Sequence, residues 1–171
     1  MAGCPTTPVT DGLRIRKAVR ALVLDPADRV LLVRFEFPTA SVWATPGGGV
    51  EPDEDDEVAL RRELDEELGL LDVVIGPHIW SRHHVIPFLD GSWDGQDDRI
   101  HLVRVPDFAP TPRLSWEQLR AERVHELAWW TPAELVAAGA EGVRFAPRRL
   151  PELVVALLAN GVPEAPIDTG V

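Results

Sequence analysis

The segment Pro46-Gly47-Gly48-Gly49, followed closely by the acidic run EDDEVALRRELDEELG over 54–69, constrains the fold more than any other part of the chain. The acidic run has no Pro and no internal Gly, is rich in Glu, Leu, Arg and Ala, and stops on Gly69. It predicts a helix closed by a glycine cap. Leu60, Leu64 and Leu68 recur every four residues and make an apolar stripe that must be covered by a core. Glu63, Glu66 and Glu67 stand at i, i+3 and i+4, on a narrow arc beside that stripe. Each such like-charge pair costs about 0.2–0.5 kcal/mol on an isolated helix, so positive charge is required nearby. A hard divalent cation, Mg²⁺ or Mn²⁺, takes oxygen ligands and would bridge them to phosphate oxygens. The competing reading is a solvated acidic face, the usual meaning of a charge run. The glycines upstream favour the metal, because residues without Cβ let backbone carbonyls and amides approach an ion closely.

Around this segment the chain reads as one body. At 171 residues, with 45% hydrophobic and 26% charged, it is long and apolar enough for a single folded domain, expected over 13–160. Residues 1–12 and 161–171 are expected to be flexible ends. The runs 15–24 and 29–35, joined by the turn DPAD, predict an antiparallel pair of strands. One long or two short strands are expected in 71–89, a hairpin turn in 90–98, and further strands at 99–105 and 126–130. Thr131 as N-cap, Pro132 at N1 and Gly139 as stop frame a short helix, and a last helix begins around Pro151. Strands and helices in this order imply a mixed α/β fold whose sheet is not purely parallel.

The net charge of −11 disfavours a sequence-independent nucleic-acid binder, since an acidic field repels phosphate backbones. A phosphorylated small molecule would need a cation to mediate its binding. Of the acids, ten fall within residues 51–67, against two arginines. The lone Cys4 forms no internal disulfide, which fits a reducing compartment. No charged N-terminal region precedes an apolar run, and no apolar stretch reaches the roughly 18 residues of a membrane span. A cytoplasmic protein without a membrane partner is the expectation.

From Gly48 to Leu70 the chain resembles the signature of the Nudix hydrolases, G-x5-E-x7-R-E-U-x-E-E-x-G-U with U a bulky aliphatic residue. Gly48, Glu54, Arg62, Glu63, Leu64, Glu66, Glu67, Gly69 and Leu70 fill every specified position. The lead-in Trp43-Ala-Thr-Pro46-Gly47-Gly48 and the junction Trp130-Thr-Pro-Ala-Glu134-Leu135 are also similar to the family, so the resemblance spans about residues 14–160. It implies an α/β/α sandwich with a mixed central sheet. It implies Mg²⁺-dependent hydrolysis of a phosphoanhydride bond in a nucleoside diphosphate linked to another group, with Mn²⁺ as a substitute. By position, Glu63, Glu66 and Glu67 would hold the metal with the Gly47 carbonyl. Arg62 would orient the glutamates, while Gly48, Glu54 and Gly69 would shape the loop and helix. Glu63 is the candidate base within the motif and Glu122, preferred to Glu126, the candidate outside it. A regulatory module that binds a nucleotide without cutting it is the alternative, against which the intact glutamate set argues. A related isopentenyl diphosphate isomerase would need a catalytic Cys in the core, and Cys4 lies outside it.

Further candidate substrate contacts are Arg34 for a phosphate, Trp43, with Trp80, Phe88 and Trp93, for stacking on a base, and His84 facing a cleft. His83 and His84 cannot share an ion, because neighbours in a strand point to opposite faces. The loop from Asp90 begins like a calcium loop but has His101 where the bidentate Glu belongs, so a turn is expected there. The substrate is expected to be a small nucleotide, and a homodimer is left open.

Overall fold

In the run Ile15–Leu24 (β1), Leu22 and Leu24 face one apolar cluster, and Val19, Ala21 and Val23 face another. Period-two alternation with both faces apolar makes β1 a central strand covered on both sides. The computed structural model describes residues 12–171; Cys4 and the segment expected to be a flexible N-terminus lie outside the described residues, apart from Gly12. After β1 come β2 (Val30–Phe37), β3 (Ala40–Ala44), β4 (Gly47–Gly49) and helix α1 (Asp56–Leu68). Next are β5 (His78–His84), β6 (Gly95–Arg104), α2 (Trp116–Ala121) and β7 (Val124–Trp130). The chain ends with α3 (Pro132–Ala140), β8 (Phe145–Ala146), α4 (Leu150–Asn160) and β9 (Ile167–Asp168).

The strands form one mixed sheet in the order β8-β3-β2-β1-β6-β5-β9, with β4 on β1 and β7 on β2. β1 runs parallel to β6 over its whole length and antiparallel to β2 only at Val23–Leu31 and Leu24–Val30. On one face, Leu60, Leu64 and Leu68 of α1 pack on Val19, Ala21 and Val23. On the other, Leu135 of α3 and Leu150, Leu153, Val154 and Leu157 of α4 cover Leu22, Leu24 and Ile100. The result is the α/β/α sandwich. Leu64 is fully buried at the centre of the α1 stripe, and Leu64→Ala should cost about 2–5 kcal/mol, read as a lower denaturant midpoint at unchanged slope.

Several boundaries differ from expectation. Only 78–84 of the 71–89 stretch is strand, and β6 starts at Gly95, inside the expected turn. Gln96 and Asp98 belong to the strand because arginines on β1 and β5 satisfy them. Gly139 does not stop α3, which runs on to Ala140 with Glu141 as cap. Its bare Cα instead lets α4 come close, since a Cβ there would lie 3.4 Å from Pro151. The tail expected to be flexible carries β9, which pairs Trp80 with Ile167, and Thr169 donates to the Ser81 carbonyl. Helix α2, held by a Ser115/Gln118 capping box, and the strands β3, β4 and β8 were not signalled by periodicity.

Candidate active site

The outer edge of β1 is shared between two partners. Its C-terminal end pairs with β2, whereas Ala18, Val19 and Arg20 pair with Gly49, Gly48 and Gly47 of β4. Between them the Ala21 N–H donates to the Pro46 carbonyl at 2.9 Å. The sheet therefore splits between β2 and β4, and α1 lies across the split. Asp55 caps α1 by accepting from the Val58 N–H, and left-handed Gly69 closes it.

Glu63 and Glu67 face this split and are buried, at 8% and 3% exposure. The Gly47 N–H donates to Glu67 Oε2 at 2.8 Å. Burial pushes the Glu67 carboxyl up to about 8, with the neighbouring Glu63 charge adding to it, while the Gly47 N–H and Arg20 oppose the rise. Burial raises Glu63 as well, held back by Arg62. Gly48 forms the wall against Glu63: a Cβ on Gly48 would stand 2.6 Å from Glu63 Oε1.

Arg62 ties the loop to the helix. Its Nε and Nη2 donate to the two carboxylate oxygens of Glu54 at 2.7 and 2.9 Å, and Nη2 also reaches the Gly49 carbonyl at 3.0 Å. Its Nη1 donates to Glu63 at 2.7 Å and to Glu66 at 3.4 Å. The two-pronged bond holds Glu54 down to about 2, assisted by the Glu51 N–H. Glu66 turns toward Arg113, whose Nη2 lies 3.1 Å away. Among the described residues no three His, Cys, Asp or Glu side chains converge into a ready-made cage; Arg62 and Arg113 hold part of the set. The donors nevertheless fit a hard divalent cation. They are all oxygen, they sit beside a backbone stripped of Cβ, and two of them are buried carboxylates whose charge needs compensation.

Other expected residues separate. Glu122 caps the end of α2, exposed, and its charge is felt at Glu63, Glu67 and Arg16. His84 is buried, held neutral by burial and by Arg82 with its titration down at about 4, and its Nδ1 has no hydrogen-bond partner. Trp43 does not face the site. It lies in the core with Trp130 edge-on at 5.1 Å, because its position in β3 points at α3 and α4. Arg34 pairs with Glu126 at 2.8 Å and with Glu36.

Residues not singled out from the sequence line the opposite wall. Arg16 is half-buried, 5.6 Å from the Phe88 ring centre, and its one hydrogen-bond partner among the described residues is the Gln96 amide oxygen at 3.2 Å. Arg20 lies 5.9 Å from the Phe35 ring centre. The signal available was the place of Arg16 and Arg20 on the β1 face of Leu22 and Leu24, six and two residues before Leu22, where a sheet interior has no place for unpaired charge.

A mixed α/β/α sandwich with an acidic helix set under a glycine strand at a split in its sheet defines a distinct class of protein. The sequence model of the NUDIX domain matches residues 14–151. The CTP pyrophosphohydrolase of Escherichia coli K12 is 31% identical over 118 residues, covering 68% of this chain and 76% of that protein. Among solved structures, the E. coli ORF135 protein superposes with a TM-score of 0.56 at 26% identity, covering 90% of this chain and 94% of that one. The MutT NUDIX hydrolase from Burkholderia pseudomallei does so with a TM-score of 0.52 at 25% identity, covering 71% and 86%. The chain belongs to the Nudix family and is a hydrolase.

Proposed function

We propose that this hydrolase cuts a phosphoanhydride bond in a nucleoside diphosphate linked to another group, with Mg²⁺ or Mn²⁺ held by Glu63, Glu66, Glu67 and the Gly47 carbonyl. The observation that carries the reading is the Glu63–Glu67 pair, two buried carboxylates walled by Gly47 and Gly48 and facing arginines across the split. When bound, the ion neutralises non-bridging phosphate oxygens and acidifies a water. The chain's own residues do the rest. Glu67 is aimed by the Gly47 N–H, Arg62 steadies Glu63, and Glu63 accepts the proton of the attacking water, with Glu122 the candidate should the base lie on the α2 side. Arg16, with no carboxylate partner among the described residues, meets a phosphate of the substrate. Neutral His84, buried on β5, is the candidate contact to the nucleoside. The name of the E. coli relative, a CTP pyrophosphohydrolase, supports a nucleoside triphosphate as one member of this substrate class. The acidity of the chain and its lone Cys support a free nucleotide rather than a nucleic acid, and a cytoplasmic setting. Among the described residues no helix is long and apolar enough to cross a membrane.

The test is release of phosphate or pyrophosphate across nucleoside triphosphates, nucleotide sugars and dinucleoside polyphosphates, with Mg²⁺ or with EDTA. Turnover of at least one member is expected with Mg²⁺ and none with EDTA. Tight binding of one member without turnover of any would overturn the proposal in favour of a nucleotide-binding regulatory module.

A further inference from the structure

Asp98 is the most deeply buried carboxylate near the split, at 2% exposure, and it lies outside the motif. Its Oδ1 accepts from Arg20 Nε at 2.8 Å and from Gln96 Nε2 at 2.7 Å, and its Oδ2 accepts from Arg82 Nη1 at 3.0 Å. Arg20 has a second set of bonds. Its Nη1 donates to the carbonyls of Thr45 at 2.9 Å and Gly47 at 3.3 Å, the two residues that flank Pro46. Gly47 in turn donates its N–H to Glu67. One continuous chain of hydrogen bonds thus runs from β6 through β1 to the glycine strand and the buried glutamate.

We propose that Asp98 is a positioning residue for the metal-binding loop, acting through Arg20. It rests on the metal reading given above. Two effects of Asp98 point the same way. It fixes the guanidinium plane so that Nη1 can hold both loop carbonyls, which sets the direction of the Gly47 carbonyl. It also keeps Arg20 from the glutamates: Arg20 is close enough for its charge to be felt at Glu67 and Glu63, and without its own carboxylate it would turn to theirs. An arginine paired with Glu67 competes directly with a divalent cation. Asp98 therefore leaves the glutamates free for metal.

Mn²⁺ binding to the whole protein, followed by the loss of the free-ion EPR signal, reads this without turnover. Wild-type protein is expected to bind Mn²⁺, and Asp98→Asn to weaken that binding at least tenfold with its circular dichroism unchanged. Arg82→Met breaks the other arm of the same carboxylate, on the side away from the loop, and should stay within threefold of wild type. In turnover, Asp98→Asn should need at least tenfold more Mg²⁺ to reach half its maximal rate while kcat at saturating Mg²⁺ falls much less. A folded Asp98→Asn protein binding Mn²⁺ within twofold of wild type would overturn the proposal. So would an Arg82→Met protein weakened as much as Asp98→Asn, which would make the cluster merely structural. Should Asp98→Asn not fold, Arg20→Lys decides: it keeps the charge but cannot hold Asp98 and two carbonyls together, so at least fivefold weaker Mn²⁺ binding is expected and unchanged binding overturns the idea. Wild-type protein that binds no Mn²⁺ would overturn the metal reading itself, and this inference with it.

Discussion

Replacing Glu67 by Gln should cut turnover at least about a hundredfold and, in EDTA, make the protein more stable. The two effects have one cause. In the fold the Glu67 carboxyl is buried and titrates at about 8, against 4.5 for an ordinary Glu. Between those values the native state holds a proton that the unfolded chain has released, so stability falls as pH rises through this window. At pH 7 holding Glu67 neutral while the unfolded chain is ionised costs on the order of 3 kcal/mol at most, since each pH unit above the ordinary Glu value is worth about 1.4 kcal/mol. Gln removes that cost and keeps an oxygen to accept the Gly47 N–H. A rise in melting temperature of roughly 5 °C at pH 7–8, shrinking towards zero near pH 4.5, is expected for Glu67→Gln in EDTA. Added Mg²⁺ should raise the melting temperature of wild type and leave the variant nearly unmoved. A variant no more stable than wild type at pH 8 would show that Glu67 is not a strained, buried acid, and a variant with wild-type turnover would remove it from the reaction.

The site was legible in the sequence where its geometry is local, and not where it depends on strand pairing. Glu63 and Glu67 share a face because a helix repeats every 3.6 residues, and Leu60, Leu64 and Leu68 orient that face against β1. Arg62 reaches Glu54 across a helix entry eight residues long, still within one local unit. The opposite wall is different. Arg20, Asp98 and Arg82 come from three strands, and two registers bring them together: β1 parallel on β6, Ala18 with Asp98, and β5 antiparallel on β6, Arg82 with Asp98. No window of sequence contains those registers. Trp43 and Arg34 show the same limit from the other side. Both lie close to the motif in sequence, yet β2 and β3 direct Trp43 into the core and Arg34 to Glu126, because alternation along a strand, not proximity, decides which face a side chain meets. The strand β4 had no periodicity to read at all, being three glycines, and is defined only by the edge of β1 that it occupies.

Those glycines give the sharpest contrast between loss of fold and loss of site. At Gly47 the backbone has φ +131°, a region closed to L side chains, and a Cβ would lie 2.3 Å from the Val19 carbonyl oxygen and 2.7 Å from the Arg20 Cα. Neither obstacle can move without pulling β4 off β1. Gly47→Ala should therefore cost at least about 3 kcal/mol and lower the melting temperature by roughly 6–12 °C, with turnover lost because the N–H aimed at Glu67 moves with the strand. At Gly48, one residue on, φ is not positive and the three atoms nearest the Cβ all belong to Glu63, with Oε1 at 2.6 Å and Cδ at 2.7 Å. That carboxylate is the far end of a flexible side chain and can swing away. Gly48→Ala should keep the melting temperature within about 3 °C of wild type while turnover falls by about a hundredfold, the scale of losing one electrostatic group from a reaction centre. Equal melting temperatures for the two variants would show that the strained backbone at Gly47 carries no weight. Wild-type turnover in Gly48→Ala would show that Glu63 need not stand where the glycine wall holds it.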